Sequence, residues 1–260
     1  MSTIIYPSPI FGPVHSRRLG ISLGINLMPA DGKMCNFDCI YCECGFNKDH
    51  VPTLRRPSRE AIATALEAKL REMRTRNERP DVLTFAGNGE PTAHPDFQNI
   101  IDDTVRLRNQ YCPEAKISVL SNSTFIFKDS VFEALMRVDN NILKVDTVDS
   151  NYINKVDRPQ QPSYDIHKII DQLCRFNGHV IIQSMFLKGR AEDGTDVDNT
   201  HERFVGPWLE AMKRVQPQEV MIYTIDRETP DKALLKATPA ELNAIRDRVI
   251  AAGIACTASY

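Results

Sequence analysis

Apolar residues in this chain gather into short aliphatic or β-branched runs, separated by longer segments in which they recur at helical spacing. The runs at 21–27, 82–86, 117–121, 142–146, 180–185 and 220–225 predict six strands. After the first of them, Ser58 stands as an N-cap before Arg-Glu-Ala-Ile-Ala-Thr-Ala-Leu-Glu-Ala-Lys-Leu, and Pro80 bounds the following connection. Further helices are expected near 96–111, 129–138, 163–176, 203–215 and 239–251. Strands alternating with helices pair in parallel through right-handed crossovers, so the pattern predicts an α/β fold with a parallel six-stranded sheet. Loops at the C-terminal strand ends of such a fold converge, bringing residues nearly two hundred positions apart to one mouth.

With 260 residues, 42% of them hydrophobic, the chain can bury a sizeable core as a single domain spanning 1–260. Residues 1–19 then form an N-terminal extension, and 231–260 a C-terminal helix and short tail. The net charge of −2 gives no overall basic field for nucleic acid, although Arg55, Arg56 and Arg59 form a local patch. No stretch of eighteen apolar residues exists, and the N-terminus lacks a basic region followed by an apolar one, so a cytoplasmic location without membrane contact is expected.

Three of the seven cysteines change the picture. Cys35, Cys39 and Cys42 fall within eight residues, with unequal gaps of three and two. Zinc usually takes four ligands as paired half-sites, whereas a cubane held by one short loop needs its thiolates to wrap different corners. Three thiolates on a four-iron cluster leave one iron free for chemistry. Cys112, Cys174 and Cys256 are scattered and are expected as buried free thiols. Cys44, two residues past Cys42, borders the cluster, assists a second one, or is a loop thiol.

The triad, with Tyr41 directly before its last cysteine, resembles the signature of the radical S-adenosylmethionine (SAM) superfamily. Gly87-Asn88-Gly89-Glu90-Pro91, following the apolar run 82–86, is similar to that superfamily's SAM-binding turn. Residues 11–24, Phe-Gly-Pro-Val-His-Ser-Arg-Arg-Leu-Gly-Ile-Ser-Leu-Gly, resemble the branch related to wyosine-tRNA synthases. The likeness covers residues 6 to about 230 and implies a partial (β/α)6 barrel, open on one side. It also implies one [4Fe-4S] cluster on Cys35, Cys39 and Cys42, SAM as cofactor, and a flavodoxin or ferredoxin as electron donor. The reaction it implies is reductive cleavage of SAM to a 5′-deoxyadenosyl radical that abstracts a substrate hydrogen.

If SAM is bound, Gly87 and Gly89 would let the backbone approach it, with Asn88 between them, and Glu90 would accept from its ammonium group. Ser121 and Asn122 suit the SAM carboxylate or ribose, or else make a turn or N-cap. Asp146 binds ribose or substrate, or pairs with Lys144 on the same strand face. Gln183 and Met185 share a strand face and could line the adenine pocket, and the resemblance places Tyr41 against adenine. Arg17 and Arg18 either grip an anion or are solvated; Lys33 tunes the cluster, contacts substrate, or is simply exposed, the last being the expectation. His15 and His94 are expected to ligate nothing.

Archaeal-type wyosine-tRNA synthases carry further cysteines ahead of the triad, and this sequence has none before Cys35. That departure counts against a wyosine-forming reaction and leaves a tRNA base or a small molecule as candidate substrates. Two other readings stand beside it: an activating enzyme for a glycyl-radical enzyme, and a non-catalytic iron–sulfur or zinc module.

Overall fold

The computed structural model describes residues 3–16 and 20–260. Arg17 and Arg18 lie outside the described residues. Among the described residues, ten strands and seven α-helices follow one another, mostly in alternation. The strands are β1 (Ile10–Ser16), β2 (Gly20–Ile25), β3 (Val82–Phe85), β4 (Lys116–Ser121), β5 (Asn140–Lys144), β6 (Ile181–Met185), β7 (Leu187–Gly189), β8 (Glu219–Tyr223), β9 (Leu234–Lys236) and β10 (Cys256–Ser259). The helices are α1 (Arg59–Thr75), α2 (Phe97–Tyr111), α3 (Asp129–Leu135), α4 (Ser150–Val156), α5 (Ile166–Cys174), α6 (Glu202–Val215) and α7 (Pro239–Ala251).

One sheet runs β1-β2-β3-β4-β5-β6-β8-β10, parallel throughout except for β1, which pairs antiparallel with β2. The six expected strands are its centre, and the sheet is eight-stranded rather than six. β1 was hidden because Gly12 and Pro13 interrupt its alternation, and its register shifts between Phe11 and Val14. β10 lies in what the sequence offers as a short tail, and pairs Cys256 with Val220. Among the described residues β1 and β10 do not pair, so the sheet stays open, consistent with a partial barrel. β7 and β9 form a separate antiparallel pair.

The helices cover the sheet through regular apolar stripes. In α1, Ile62, Leu66, Leu70 and Met73 are buried, and the Ser58 hydroxyl accepts from the Ala61 amide at 3.3 Å. Such a cap contributes about 1 kcal/mol. Thr238 and Glu241 form a reciprocal capping box at the start of α7. In α6 the buried Trp208 indole donates to the Val145 carbonyl and the Ser184 hydroxyl, each at 3.1 Å, locking the helix over the β5 and β6 ends. On the inner face the floor carries paired polar groups: Ser22 and Thr84 hydroxyls lie 2.8 Å apart, and the Asn140 amide donates to Ser118 at 2.8 Å. Among the described residues, no helix is long and apolar enough to cross a membrane.

Candidate active site

The long connection from β2 to α1 carries all three clustered cysteines, and a backbone seam fixes it to the glycine-rich turn after β3. Met34 and Gly89 form an isolated parallel bridge, with the Met34 amide donating to the Asn88 carbonyl at 2.8 Å and the Glu90 amide to the Met34 carbonyl at 3.3 Å. Gly89 has φ +142°, and a Cβ there would overlap the Met34 carbonyl. At Gly87, φ is +128°, and a Cβ would lie 2.7 Å from the Asn26 side chain. Both glycines are therefore required by the chain's own packing. At Gly89 the cysteine loop takes the close approach that the sequence suggested for a ligand.

The polar residues of the turn are likewise committed to protein. The fully buried Asn88 side chain accepts from the Tyr6 amide at 2.7 Å and donates to the Tyr6 and Pro29 carbonyls at 2.8 and 2.9 Å. The Glu90 carboxylate accepts from the Asn122 amide at 2.7 Å, the Thr92 amide at 3.0 Å and the Thr92 hydroxyl. Burial raises the pKa of Glu90 against these hydrogen bonds. Ser121 accepts from the Ser123 amide at 3.1 Å, the local turn role that the sequence also allowed. The Asn122 side chain reaches the cysteine loop, donating to Asn36 at 2.7 Å and to the Cys35 sulfur at 3.8 Å.

The three thiols have distinct surroundings. Cys35 accepts from the Phe37 amide at 3.4 Å, and burial pushes its pKa up to about 12. Cys39 donates to Asp157 at 3.8 Å and is raised by burial and by that carboxylate. Cys42 is lowered to about 6, chiefly by a hydrogen bond from the Cys44 thiol and further by Lys33. Cys44 is buried and also lies 3.4 Å from the Gly87 carbonyl. Among the described residues no three His, Cys, Asp or Glu side chains converge as ligands of a single ion. Three thiols wrapped along one loop, with amide and thiol donors behind them, suit a cluster with several metal corners.

Lys33 corrects the sequence expectation: it is 4% exposed, not solvated. Its ammonium donates to the Gly45 carbonyl at 2.6 Å and lies 3.8 Å from Asp38. Burial alone lowers its pKa, but Cys42, Cys35, Cys39 and Asp38 together carry it above the ordinary lysine value.

On the inner side of the loop, Tyr41 closes a buried charge cluster. Its hydroxyl donates to Asp146 and, at 2.9 Å, to Asp157, while Lys144 reaches both the Tyr41 hydroxyl and Asp146 and pairs with Asp157 at 3.0 Å. Asp146 also accepts from the Met185 amide at 2.9 Å. The ion pair with Lys144 that the sequence allowed for Asp146 is formed. Asp157 gave no sequence signal, since it arrives at the end of α4, a short helix of mixed polarity.

A cavity of about 430 Å³ opens between the cysteine loop and the barrel floor. Of the expected site residues, Tyr41, Cys42, Gly87, Gln183 and Met185 line it, together with Cys44. Asn88, Gly89, Glu90, Ser121, Asn122 and Asp146 are not among its lining residues and instead support the loops around it. Phe11, Val14 and His15 of β1 form a wall that the sequence did not reveal. At the rim, Arg227 donates to the Tyr6 hydroxyl at 2.8 Å and pairs with Glu43 at 2.9 Å. His94 is structural, with its ring bonded to the Pro57 carbonyl at 3.0 Å and the Asp96 amide at 3.1 Å.

Residues 31–203 match the family model of the Radical SAM superfamily. The chain is 31% identical over 231 residues to the UPF0026 protein of Helicobacter pylori, covering 87% of this chain and 69% of that protein. Among solved structures, a radical SAM methyltransferase from Sphaerobacter thermophilus superposes with a TM-score of 0.65 at 16% identity, over 92% of this chain and 66% of that one. TYW1 with a lysine-pyruvate adduct bound superposes with a TM-score of 0.57 at 12% identity, over 88% and 72%. These structural likenesses show a shared fold, and the chain spans about two thirds of the length of the methyltransferase and the Helicobacter protein.

Proposed function

Because the chain belongs to the radical SAM superfamily, we propose that it holds a [4Fe-4S] cluster through Cys35, Cys39 and Cys42 and uses SAM to abstract hydrogen from a substrate seated in the cavity below. Held there, a cluster reduced by an external donor would supply the one electron that cleaves SAM into methionine and a 5′-deoxyadenosyl radical, which takes a hydrogen atom from the substrate. The observation that carries this reading is that Cys42 and Gly87 border the same cavity as Gln183 and Met185, so the ligand loop opens directly onto the barrel interior.

The chain's own residues bind and shield. Glu90, Asn88 and the Met34–Gly89 seam hold the loop against the β3 and β4 ends, and Asn122 donates toward Cys35. Gln183 lines the cavity together with apolar Leu120, Ile142 and Met221 and with polar Ser22 and Thr84, so the floor offers a few polar groups among apolar ones. β1 walls one side, which limits the solvent that can reach a reactive intermediate. The segment resembling the wyosine-tRNA synthase branch supplies β1 and β2, so the likeness falls on the wall of the proposed substrate space. The substrate in this reading is a small molecule or a single tRNA base, and the electron donor a flavodoxin or ferredoxin.

The test is anaerobic reconstitution with iron and sulfide, reduction by dithionite, and chromatographic assay of 5′-deoxyadenosine. Slow product without substrate is expected, and acceleration by RNA that ribonuclease abolishes would identify a base as substrate. A fully loaded protein that forms no 5′-deoxyadenosine under reducing conditions would overturn the reading.

A further inference from the structure

Two lysines, Lys33 buried and Lys144 half-buried, flank the cysteine loop, and they are compensated very differently. Lys144 sits within ion-pair distance of two carboxylates, Asp146 and Asp157. Lys33 has one carboxylate near it, Asp38, at 3.8 Å, and that side chain is 20% exposed and already accepts from the Asn47 amide at 2.7 Å. The Lys33 side chain itself is 1% exposed. A buried ammonium is costly unless opposite charge lies beside it. What lies beside it is the cysteine loop: residue 33 precedes Cys35, and its ammonium is tied to the carbonyl of Gly45, beyond Cys42. The side chain thus crosses the base of the loop from one end to the other.

We infer that Lys33 is the fixed counter-charge of the cysteine loop, a buried cation that favours the reduced state of the cluster held there. This rests on the proposed cluster. Three thiolates on a [4Fe-4S] core of charge +2 give a net −1, and one-electron reduction makes it −2. A neighbouring cation stabilises the second state more than the first, and it does so strongly where water is excluded. A hydrogen bond to Gly45 would need only a neutral donor; the burial of a full charge calls for an anion. Lys33 is therefore a positioning and tuning residue that touches no substrate.

The experiment is a redox titration of the reconstituted protein, followed by the electron paramagnetic resonance of the reduced cluster, on wild type, Lys33→Met, Lys33→Arg and Asp38→Asn. At a fixed applied potential near the wild-type midpoint, Lys33→Met is expected to lower the ratio of reduced to oxidised cluster by about tenfold or more. Lys33→Arg should restore it, and Asp38→Asn should raise it, since it removes the anion that opposes Lys33. A loaded Lys33→Met protein that titrates with wild type overturns the inference, as does a Lys33→Arg protein shifted as far as Lys33→Met. If Lys33→Met takes up no iron, Lys33→Gln, which keeps a neutral donor for the Gly45 carbonyl, decides: a reduced-to-oxidised ratio lowered as expected for Lys33→Met supports the inference and an unchanged titration overturns it. A wild-type protein that takes up no cluster sinks the proposed function itself.

Discussion

The carbonyl oxygen of Met34 fills the space that a Cβ on Gly89 would occupy, so the glycine-rich turn and the cysteine loop are joined backbone to backbone. Gly89→Ala must push the loop away or strain a φ of +142° that L-residues rarely adopt. The expected cost is about 2–3 kcal/mol, accompanied by loss of bound iron after reconstitution. Iron and sulfide analysis together with a thermal melt checks it. A variant that loads iron normally and loses only SAM affinity would show that the ligand, not the loop, sets the need for glycine.

Asn88 joins the same turn to the N-terminal segment through three hydrogen bonds to backbone groups of Tyr6 and Pro29. Asn88→Ala takes its partner from the Tyr6 amide and the Pro29 carbonyl, while Asn26 still donates to the Tyr6 carbonyl at 3.2 Å, and should destabilise the fold by about 2 kcal/mol. Denaturant unfolding measures this directly. Stability within a few tenths of wild type would mean that water or a local shift satisfies them.

How far the sequence revealed these arrangements depended on whether the signal was local. The six central strands were legible because each is a short apolar run, and the cysteine spacing alone pointed to a cluster. β1 was not, because Gly12 and Pro13 break its period, and β10 was not, because Thr257, Ala258 and Ser259 carry little apolar character. The chemistry of Asn88 and Glu90 was visible as polar groups beside a turn, but their partners come from residues 6, 29, 92 and 122, which no local pattern brings together. Lys33 has no periodic context that marks it as inside, and only the chain folding back over it at His50 and Gly45 buries it.

Glu90 gives a pH signature. Its carboxyl is held above its ordinary 4.5 by burial, against the hydrogen bonds it accepts. The folded state therefore binds the proton more tightly than the unfolded chain does. This contribution to stability is fully present below about pH 4.5 and is lost as pH rises through the folded-state value. Glu90→Gln should remove that decline in the metal-free protein, as followed by urea unfolding across this range. A wild-type contribution that grows with pH and vanishes in the variant would have the wrong sign for this account.

Cys44 tests the boundary between ligand and neighbour. Its thiol is buried, donates to the Gly87 carbonyl at 3.4 Å, and lies close enough to Cys42 to help lower the pKa of that thiol. A fourth thiolate on the cluster would occupy the iron that SAM requires, whereas a thiol committed to the Gly87 carbonyl borders a ligand without replacing one. Cys44→Ala is therefore expected to keep iron content and 5′-deoxyadenosine formation within about twofold of wild type. The triple variant of Cys35, Cys39 and Cys42 to Ala should bind no cluster. The measurement pairs iron analysis with product chromatography on both proteins. A Cys44→Ala protein that loses its iron, from a wild type that forms no 5′-deoxyadenosine, would make Cys44 the fourth ligand of a closed cluster and move the chain from catalysis to electron transfer.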